Sequence, residues 1–347
     1  MGQQLEIGVE TFGDVTDGPD GQPLHHAQVL RNILAEARAA EQSGLDFFGV
    51  GEHHRPDYAV TAPEVVLGAI AGQTERIRLG SAVTVLSSDD PVRVFQRFAT
   101  VDGLSNGRAE VILGRGSFIE SFPLFGYDLK DYEVLFEEKL ALFAKLLAEQ
   151  PLTWHGTTRP GLSGQRAYPN TESGRLGAWV GVGGSPESVV RAARHGLPLF
   201  MAIIGGDPLA FEGLGRLYRR SLEEFGHQPQ PVGAHVHGFV AETDEEALDT
   251  LWPHYERVMN KLGSERGWPP ASKMRFQASA GPAGNLFAGS PETVAKKFVR
   301  AAKGLGLSRL DIKYSNGSLP HADMVRSIEL LGTRVKPLVL DMMADGS

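Results

Sequence analysis

Residues 77–117 read IRLGSAVTVLSSDDPVRVFQRFATVDGLSNGRAEVILGRGS, and this stretch decides the fold class. Two apolar runs, IRLGSAVTVL and AEVILG, have the character of strands. The segment between them carries the start and stop signals of a helix: Asp90 as a cap, Pro91 in the first turn, and Asn106 with Gly107 at the end. Two strands joined by a helix are parallel, and parallel strands have continuous apolar sequences because both faces of their sheet are covered. The stretch therefore predicts one strand-helix-strand unit of an α/β protein.

The same alternation of strand and helix continues along the chain. Apolar runs about 30 residues apart predict eight strands, at residues 5–12, 45–51, 77–86, 109–114, 178–183, 197–204, 231–241 and 309–314. Two segments without a clear period, 150–177 and 263–288, are predicted to be loop insertions. Eight strands alternating with helices favour a closed (β/α)8 TIM barrel, which we predict to be a single domain over residues 1–347.

Composition excludes several classes of function. The 347 residues carry a formal net charge of −8 and contain no basic tract, so we expect no nucleic-acid partner. No apolar run approaches the roughly 20 residues that span a bilayer, and no basic segment followed by an apolar one opens the chain, so we expect a cytoplasmic protein with no membrane partner. The absence of cysteine excludes disulfides, thiolate catalysis and cysteine-ligated metal sites.

The first candidate anion site follows the run AEVILG. Glycines flank Arg115 in the sequence Gly114-Arg115-Gly116-Ser117. Glycines let a backbone approach an anion closely, and the guanidinium is a forked, permanently charged donor. A phosphate site is one interpretation; an ordinary turn with an arginine at its rim is the other.

A second candidate anion site follows the run AWVGVG. Ser185 is a good helix cap, Pro186 fits the first turn, and Ser188 lies one turn further on, so hydroxyls and free N–H groups meet at the positive end of a helix. Plain helix capping is the alternative. Residues 289–293, GSPET, repeat the motif, and we predict no comparable buried strand before them.

Three polar residues, Glu52, His53 and His54, follow the second predicted strand. Residues at this end of a barrel strand face the active-site mouth. Side chains along a strand point alternately to its two faces, so we expect His53 to point to the opposite face from Glu52 and His54. The alternatives to a catalytic role are a hydrogen-bonded structural pair and a partial metal site. A metal site is disfavoured because the sequence has no HExxH pattern.

Taken together, these pieces resemble the bacterial luciferase-like flavin monooxygenases. The matching pieces are EHH after the second strand, LGSAVTVL followed by DPVR, DGLSNGRAEVILGRGS with LFG soon after, and WVGVGGSPESVVRAARHGLP. They occur in the family's order and spacing over most of residues 5–205. Within the family, the chain is most similar to a bacterial branch of monooxygenases outside the luciferase subunits themselves.

The resemblance implies a luciferase-like TIM barrel that binds FMN at its C-terminal mouth. His53 matches the family's catalytic histidine, and Ala82 and Val83 match a position where the family often has a cis peptide bond under the flavin ring. The cofactor-binding residues implied by the resemblance are Ala82, Val83, Arg115, Gly183, Gly184, Ser185 and Ser188. One departure is Gly184, where luciferase has an acidic residue just before its phosphate-binding serine.

By resemblance, the expected function is that of an FMN-dependent monooxygenase, an oxidoreductase acting on paired donors with O2. Reduced FMN and O2 would oxidise a small organic substrate, and His53, whose ordinary pKa lies near neutrality, would donate a hydrogen bond or act as an acid or base. The sequence has no dinucleotide-binding fingerprint, which favours a separate NAD(P)H:flavin reductase. A deazaflavin-dependent dehydrogenase and a non-catalytic flavin-binding protein are the alternatives.

The resemblance also implies a homodimer. Barrels of this family commonly pair through helices near the start of the chain. The helix from Pro91 to Leu104 has more apolar residues than one buried stripe needs, which makes it the candidate contact.

Overall fold

The computed structural model describes residues 5–116 and 118–344, so Ser117, the last residue of the quoted stretch, lies outside the described residues. The strands in these ranges are β1 (Glu6–Thr11), β2 (Phe47–Val50), β3 (Arg78–Ser81), β4 (Thr84–Val85), β5 (Ala109–Gly114), β6 (Leu152–Trp154), β7 (Leu162–Gln165), β8 (Gly177–Val182), β9 (Leu199–Ala202), β10 (Val232–Val240), β11 (Phe287–Gly289) and β12 (Arg309–Lys313). The α-helices are α1 (His26–Gln42), α2 (Pro63–Ala71), α3 (Pro91–Leu104), α4 (Ser121–Leu124), α5 (Tyr132–Leu146), α6 (Pro186–Arg194), α7 (Glu212–Glu224), α8 (Asp244–Arg266), α9 (Lys273–Ala280), α10 (Pro291–Leu305), α11 (His321–Leu330) and α12 (Lys336–Ala344).

Eight of the strands close into one parallel barrel. Their order around the ring is β1, β2, β3, β5, β8, β9, β10 and β12, and β12 pairs back onto β1. These are the eight strands that the sequence predicts, so the prediction of a closed (β/α)8 barrel is confirmed. Two short strands lie beside the ring: β4 pairs with β5, and β11 pairs with β10.

The predicted strand-helix-strand unit forms for the reasons visible in its sequence. The Asp90 carboxylate accepts hydrogen bonds from the N–H groups of Val92 and Arg93 at 2.9 and 3.1 Å, which caps α3. The chain leaves the helix through Asn106 and Gly107, which both have positive φ, at 56° and 79°. Every residue of the following strand, β5, is buried, as expected of a central parallel strand.

The apolar face of α3 is covered by the chain itself. Val94, Phe95, Phe98 and Val101 are each at most 3% exposed, and α3 packs against α2 and α5. Helices of this barrel pack against neighbouring helices as well as against the strands, so most of a wide apolar stripe is buried within one chain. Leu104, at the end of α3, is 63% exposed, and a dimer contact through this helix stays a prediction.

Both predicted insertions contain regular structure. Residues 150–177 include the antiparallel pair β6 and β7. Within residues 263–288, α8 continues to Arg266, α9 follows, and the buried strand β11 begins at Phe287. A short buried strand therefore leads into the motif at residues 289–293, and a three-residue strand is too short to show a period. It is not comparable to β8, which has six residues and belongs to the ring, so the prediction of no comparable strand there holds. In the part of the chain described, each helix is too short or too polar to cross a lipid bilayer.

Candidate functional site

A cavity of about 330 Å³ opens at the C-terminal end of the barrel strands. Six of the predicted site residues line it: His53, Ala82, Val83, Arg115, Gly183 and Ser188. The other two, Gly184 and Ser185, connect Gly183 to the first turn of α6 but are not part of the lining. The barrel thus brings residues that are up to 135 positions apart, from His53 to Ser188 (188 − 53 = 135), to one cavity.

The peptide bond between Ala82 and Val83, directly after β3, is cis, as the resemblance implies. Two glycines leave room for the Val83 side chain. A Cβ atom on Gly114 would lie 2.5 Å from Val83 Cγ2, and one on Gly181 would lie 3.1 Å from Val83 Cγ1. Glycine at the ends of β5 and β8 is therefore required by the packing of this wall of the cavity.

His53 is enclosed by aromatic rings. The ring centroids of Phe12, Tyr58 and Phe118 lie 4.9, 4.5 and 4.8 Å from that of His53, all in edge-to-face arrangements. Removal of water by these neighbours lowers the pKa of His53 to about 3. The imidazole is therefore neutral at pH 7, and the expectation of a titration near neutrality is corrected.

The neighbours of His53 are arranged differently from the prediction. Glu52 lines the same cavity and hydrogen-bonds His54 at 3.2 Å. The prediction that alternation separates His53 from both neighbours is wrong for Glu52, because β2 ends at Val50 and the pleat does not continue to residue 52. The bond between Glu52 and His54 agrees with a structural role for that pair.

The predicted anion residues meet at the ends of β5 and β8. The Ser185 hydroxyl accepts a hydrogen bond from the Ser188 N–H at 3.3 Å and lies 3.2 Å from the Ser188 hydroxyl. The Arg115 guanidinium donates to the exposed carboxylate of Glu133 at the start of α5, and it lies 5.1 Å from the ring of Tyr132. The site thus combines two hydroxyls, one helix N-terminus and one arginine.

The sequence prediction missed a second arginine in this cluster. Arg191 is 8% exposed; its Nη1 lies 3.4 Å from Ser188 Oγ and its Nη2 donates to Glu133 at 2.9 Å. Its Nε donates to Glu137 at 2.6 Å, which fixes the guanidinium independently of Glu133. Its position three residues after Ser188 could have indicated this, because residues three apart on a helix lie next to each other on its surface.

The repeated motif at the start of α10 has a different environment. Ser290 caps that helix, but its N–H and the Thr293 hydroxyl both donate to the Asp244 carboxylate, at 2.6 and 2.9 Å. An internal carboxylate therefore already satisfies this N-terminus. The two motifs look alike in sequence and differ in what lies in front of the helix.

Two further polar residues that were not predicted lie on β10, the strand opposite β3 in the ring. His235 and His237 alternate along β10 in the sequence AHVHG, and both line the cavity. Burial lowers the pKa of His235 to about 3 and that of His237 to about 4, so both are neutral at pH 7. The sequence did contain a signal for them: two histidines two residues apart in an apolar strand point to the same face of the sheet.

The residues present fit a phosphate monoester attached to an apolar ring system. Arg115, Arg191 and the hydroxyls of Ser185 and Ser188 are donors suited to a phosphate. A side chain at Gly183 would meet no protein atom within 4 Å, so the backbone there is open on the cavity side. Within residues 5–116 and 118–344, no three His, Asp or Glu side chains are placed to hold a metal ion.

Comparison with known proteins gives the family. A model described as luciferase-like monooxygenase matches residues 7–309. N-acetyl-S-alkylcysteine monooxygenase of Bacillus subtilis (strain 168) is 30% identical over 229 residues, which are 64% of this chain and 65% of that protein.

Two solved structures have the same fold. Monooxygenase RslO1 from Streptomyces bottropensis has a TM-score of 0.83 at 22% identity, over 96% of this chain and 99% of its own. The oxygenating constituent of 3,6-diketocamphane monooxygenase from Pseudomonas putida, a type II Baeyer-Villiger monooxygenase in complex with FMN, has a TM-score of 0.74 at 20% identity, over 96% of this chain and 98% of its own. Because the family model spans most of the chain and includes the whole cavity lining, the chain belongs to the luciferase-like monooxygenase family.

Proposed function

We propose that the protein is an FMN-dependent monooxygenase that uses reduced FMN and O2 to oxidise a small organic substrate. The observation that carries the proposal is that Arg115 and Ser188, which can bind a phosphate, line the same cavity as the neutral His53, which is enclosed by aromatic rings. The FMN complex of the Pseudomonas putida relative supports the choice of cofactor. Bound reduced flavin would supply the reaction with O2; the chain supplies binding, orientation and a dry pocket.

Each group of residues has a separate role in this proposal. Arg115, Arg191, Ser185 and Ser188 would hold the phosphate, and Ala82 with Val83 would contact the ring system. His53 is neutral at pH 7, so it acts as a hydrogen-bond donor through one ring nitrogen and an acceptor through the other. Phe12, Tyr58 and Phe118 keep water away from His53.

The test uses 18O2, because free reduced flavin also consumes O2 and oxygen uptake alone is ambiguous. The protein is incubated with a small-molecule extract, 18O2 and FMN kept reduced by a regenerating system, and products that gain one 18O atom are sought by mass spectrometry. We expect labelled products that disappear with heat-inactivated protein. Tight binding of a deazaflavin but not FMN would favour the dehydrogenase, and FMN binding without any labelled product would favour a binding protein.

We further propose that a separate NAD(P)H:flavin reductase supplies the reduced FMN and that the protein is a homodimer. The dimer rests on the family alone, whereas the reductase also rests on the lack of a dinucleotide-binding fingerprint in the sequence. A sedimentation coefficient that corresponds to a monomer at every concentration would contradict the dimer.

A further inference from the structure

A hydrogen-bonded pair of acidic and imidazole side chains lies on the cavity wall, and its imidazole is across the barrel from the residues expected to contact the flavin ring. In the ring of eight strands, β10 is four positions from β3 and therefore opposite to it. The residues implied to contact the flavin ring follow β3, whereas His235 lies on β10 and Glu10 on β1, next to β12. Both line the cavity that contains His53.

The pair is held in one arrangement. His235 Nδ1 is hydrogen-bonded to Glu10 Oε1, and the two side chains come from strands separated by β12. Glu10 is 0% and His235 8% exposed. When Nδ1–H of a neutral histidine donates to a carboxylate, its Nε2 carries no proton and is a hydrogen-bond acceptor.

Each member of the pair has one buried polar atom without a partner. Among the described residues, none hydrogen-bonds Glu10 Oε2 or His235 Nε2. Both atoms are acceptors, and a buried polar atom left unpaired costs about 1–3 kcal/mol. Unpaired acceptors in the wall of a ligand cavity have a natural partner in a ligand that carries a hydrogen-bond donor.

Apart from His237, the neighbours of the pair on this wall include two aromatic rings. Phe12 and Phe200 line the cavity, and their rings lie 6.4 and 6.1 Å from that of His235. An apolar pocket with a few placed polar groups binds an apolar molecule and uses the polar groups to orient it. The neighbouring cation, Lys313, is already bonded to Asp14 at 2.7 Å, so it does not compete for the pair.

We propose that the Glu10–His235 pair binds an O–H or N–H group of the organic substrate and so selects substrates that carry such a donor on an apolar body. Naming the ligand as the substrate rests on the proposed function; the binding preference does not. Glu10 is a positioning residue in this arrangement, because it acts by fixing the tautomer of His235.

The test measures binding to the flavin-free protein, so it stands even if the proposed oxidation is wrong. The probes are 4-methylphenol and its methyl ether 4-methylanisole, which differ in one donor. We expect the wild-type protein to bind the phenol about fivefold to tenfold more tightly, the scale of one hydrogen bond. Phe200→Leu, a control in the apolar wall, should weaken both probes while keeping that ratio.

Two variants isolate the pair. His235→Leu should reduce the preference to within about twofold. Glu10→Gln, which keeps the shape of the side chain and covers the case in which the leucine variant fails to fold, should lose more than half of the preference. Imidazole 15N shifts should show the Nδ1–H tautomer of His235 in the wild type and a smaller fraction of it in Glu10→Gln.

Three results would overturn the proposal. One is equal affinity of the wild type for both probes, or no measurable binding of either. Another is a preference that survives His235→Leu. The third is an Nε2–H tautomer of His235 in the wild-type protein, since a donor at that position could not accept a hydrogen bond from the substrate.

Discussion

His53 owes its neutral state to its surroundings and not to a charged partner. Three aromatic rings enclose the imidazole, and the loss of water disfavours the protonated form. Asp14 opposes the shift, because its charge favours the imidazolium, but desolvation is the larger effect. A neutral imidazole donates one hydrogen bond and accepts one, so His53 is suited to orient a polar group of a reactant and not to carry charge at pH 7.

The first prediction is that His53→Ala separates chemistry from flavin binding. His53 follows β2, whereas the anion cluster follows β5 and β8, so the variant should keep the FMN dissociation constant within about threefold. Productive oxidation should fall about a hundredfold, the lower end of what a positioned acid, base or hydrogen-bond donor contributes. The measurements are a flavin fluorescence titration and the amount of 18O-labelled product formed from the small-molecule extract under 18O2.

The matched control for His53 is its neighbour His54, which is bonded to Glu52 and does not line the cavity. His54→Ala should leave the amount of labelled product at the wild-type level. If His53→Ala forms as much labelled product as the wild type, or fails to bind FMN, the catalytic role of His53 is refuted.

At the scale of elements, the anion cluster consists of Arg115, Ser185, Ser188 and Arg191. It forms because the end of β5 and the starts of α5 and α6 lie next to one another. Arg115 extends from the end of β5, the two serines begin α6, and Arg191 lies in the following turn of α6. The start of α10 has the same serine cap, but the Asp244 carboxylate lies in front of it. This difference makes α10 an internal control for α6.

The second prediction concerns the phosphate. Arg115→Ala should weaken FMN binding by about 1.5–3 kcal/mol, the scale of a hydrogen bond to a charged group, which is about 10- to 150-fold in the dissociation constant. Riboflavin, which lacks the phosphate, should lose much less, and Ser290→Ala should change neither affinity. Equal losses for FMN and riboflavin would remove Arg115 from the phosphate site.

The third prediction concerns Glu133, which bridges the two arginines and is 64% exposed in its side chain. This carboxylate competes with a phosphate for Arg115 and Arg191, so Glu133→Gln should bind FMN about threefold to tenfold more tightly. Glu138→Gln is the control, because it removes the same charge from the same helix where the carboxylate instead binds Thr157 and Thr158. An unchanged FMN affinity in Glu133→Gln would show that the carboxylate does not compete.

The sequence predicts the long elements and the local motifs better than the contacts between them. All eight ring strands and the ends of α3 were predicted because their signals lie within one segment. The three-residue strands β6 and β11 were missed because they are too short to show a period. Arg191 and the pair of Glu10 with His235 were missed because their meeting depends on the order of strands around the ring, which no local pattern gives.

At the scale of the whole molecule, the barrel interior contains charged and titratable groups that respond to pH in opposite senses. Arg309 is 0% exposed, is bonded to Glu110, and lies 4.0 Å from the ring centroid of Phe47. Beside it, burial raises the pKa of Asp311 to about 7 despite the nearby arginine. Nearer the mouth, burial holds the pKa values of three histidines near 3 to 4.

The last prediction is a loss of stability in mild acid. The histidine pKa values lie below the usual 6.5, so the unfolded chain binds more protons and stability falls as pH drops below 6.5. At pH 5 the loss is at most about 2 kcal/mol for buried His235, because the bonded Glu10 carboxylate favours the imidazolium, and it is reduced for His53 and His237 by their partial exposure. Asp311 acts in the opposite sense: its pKa is raised, so it regains about 2 kcal/mol as pH falls from 7 to 5.

The three histidines lower the unfolding free energy as the pH falls, and Asp311 raises it. We expect the unfolding free energy to be about 1–3 kcal/mol lower at pH 5 than at pH 7. Urea denaturation at the two pH values measures it as a difference in unfolding free energy. Replacing His235 by Leu should remove part of the acid loss, because the variant has no imidazole to protonate on unfolding, whereas His155→Ala, at an exposed position, should retain it. Equal stability at pH 7 and pH 5 in the wild type would contradict the predicted net loss, and an acid loss in His235→Leu as large as that of the wild type would remove the basis for treating His235 as an uncharged hydrogen-bonding group in the cavity.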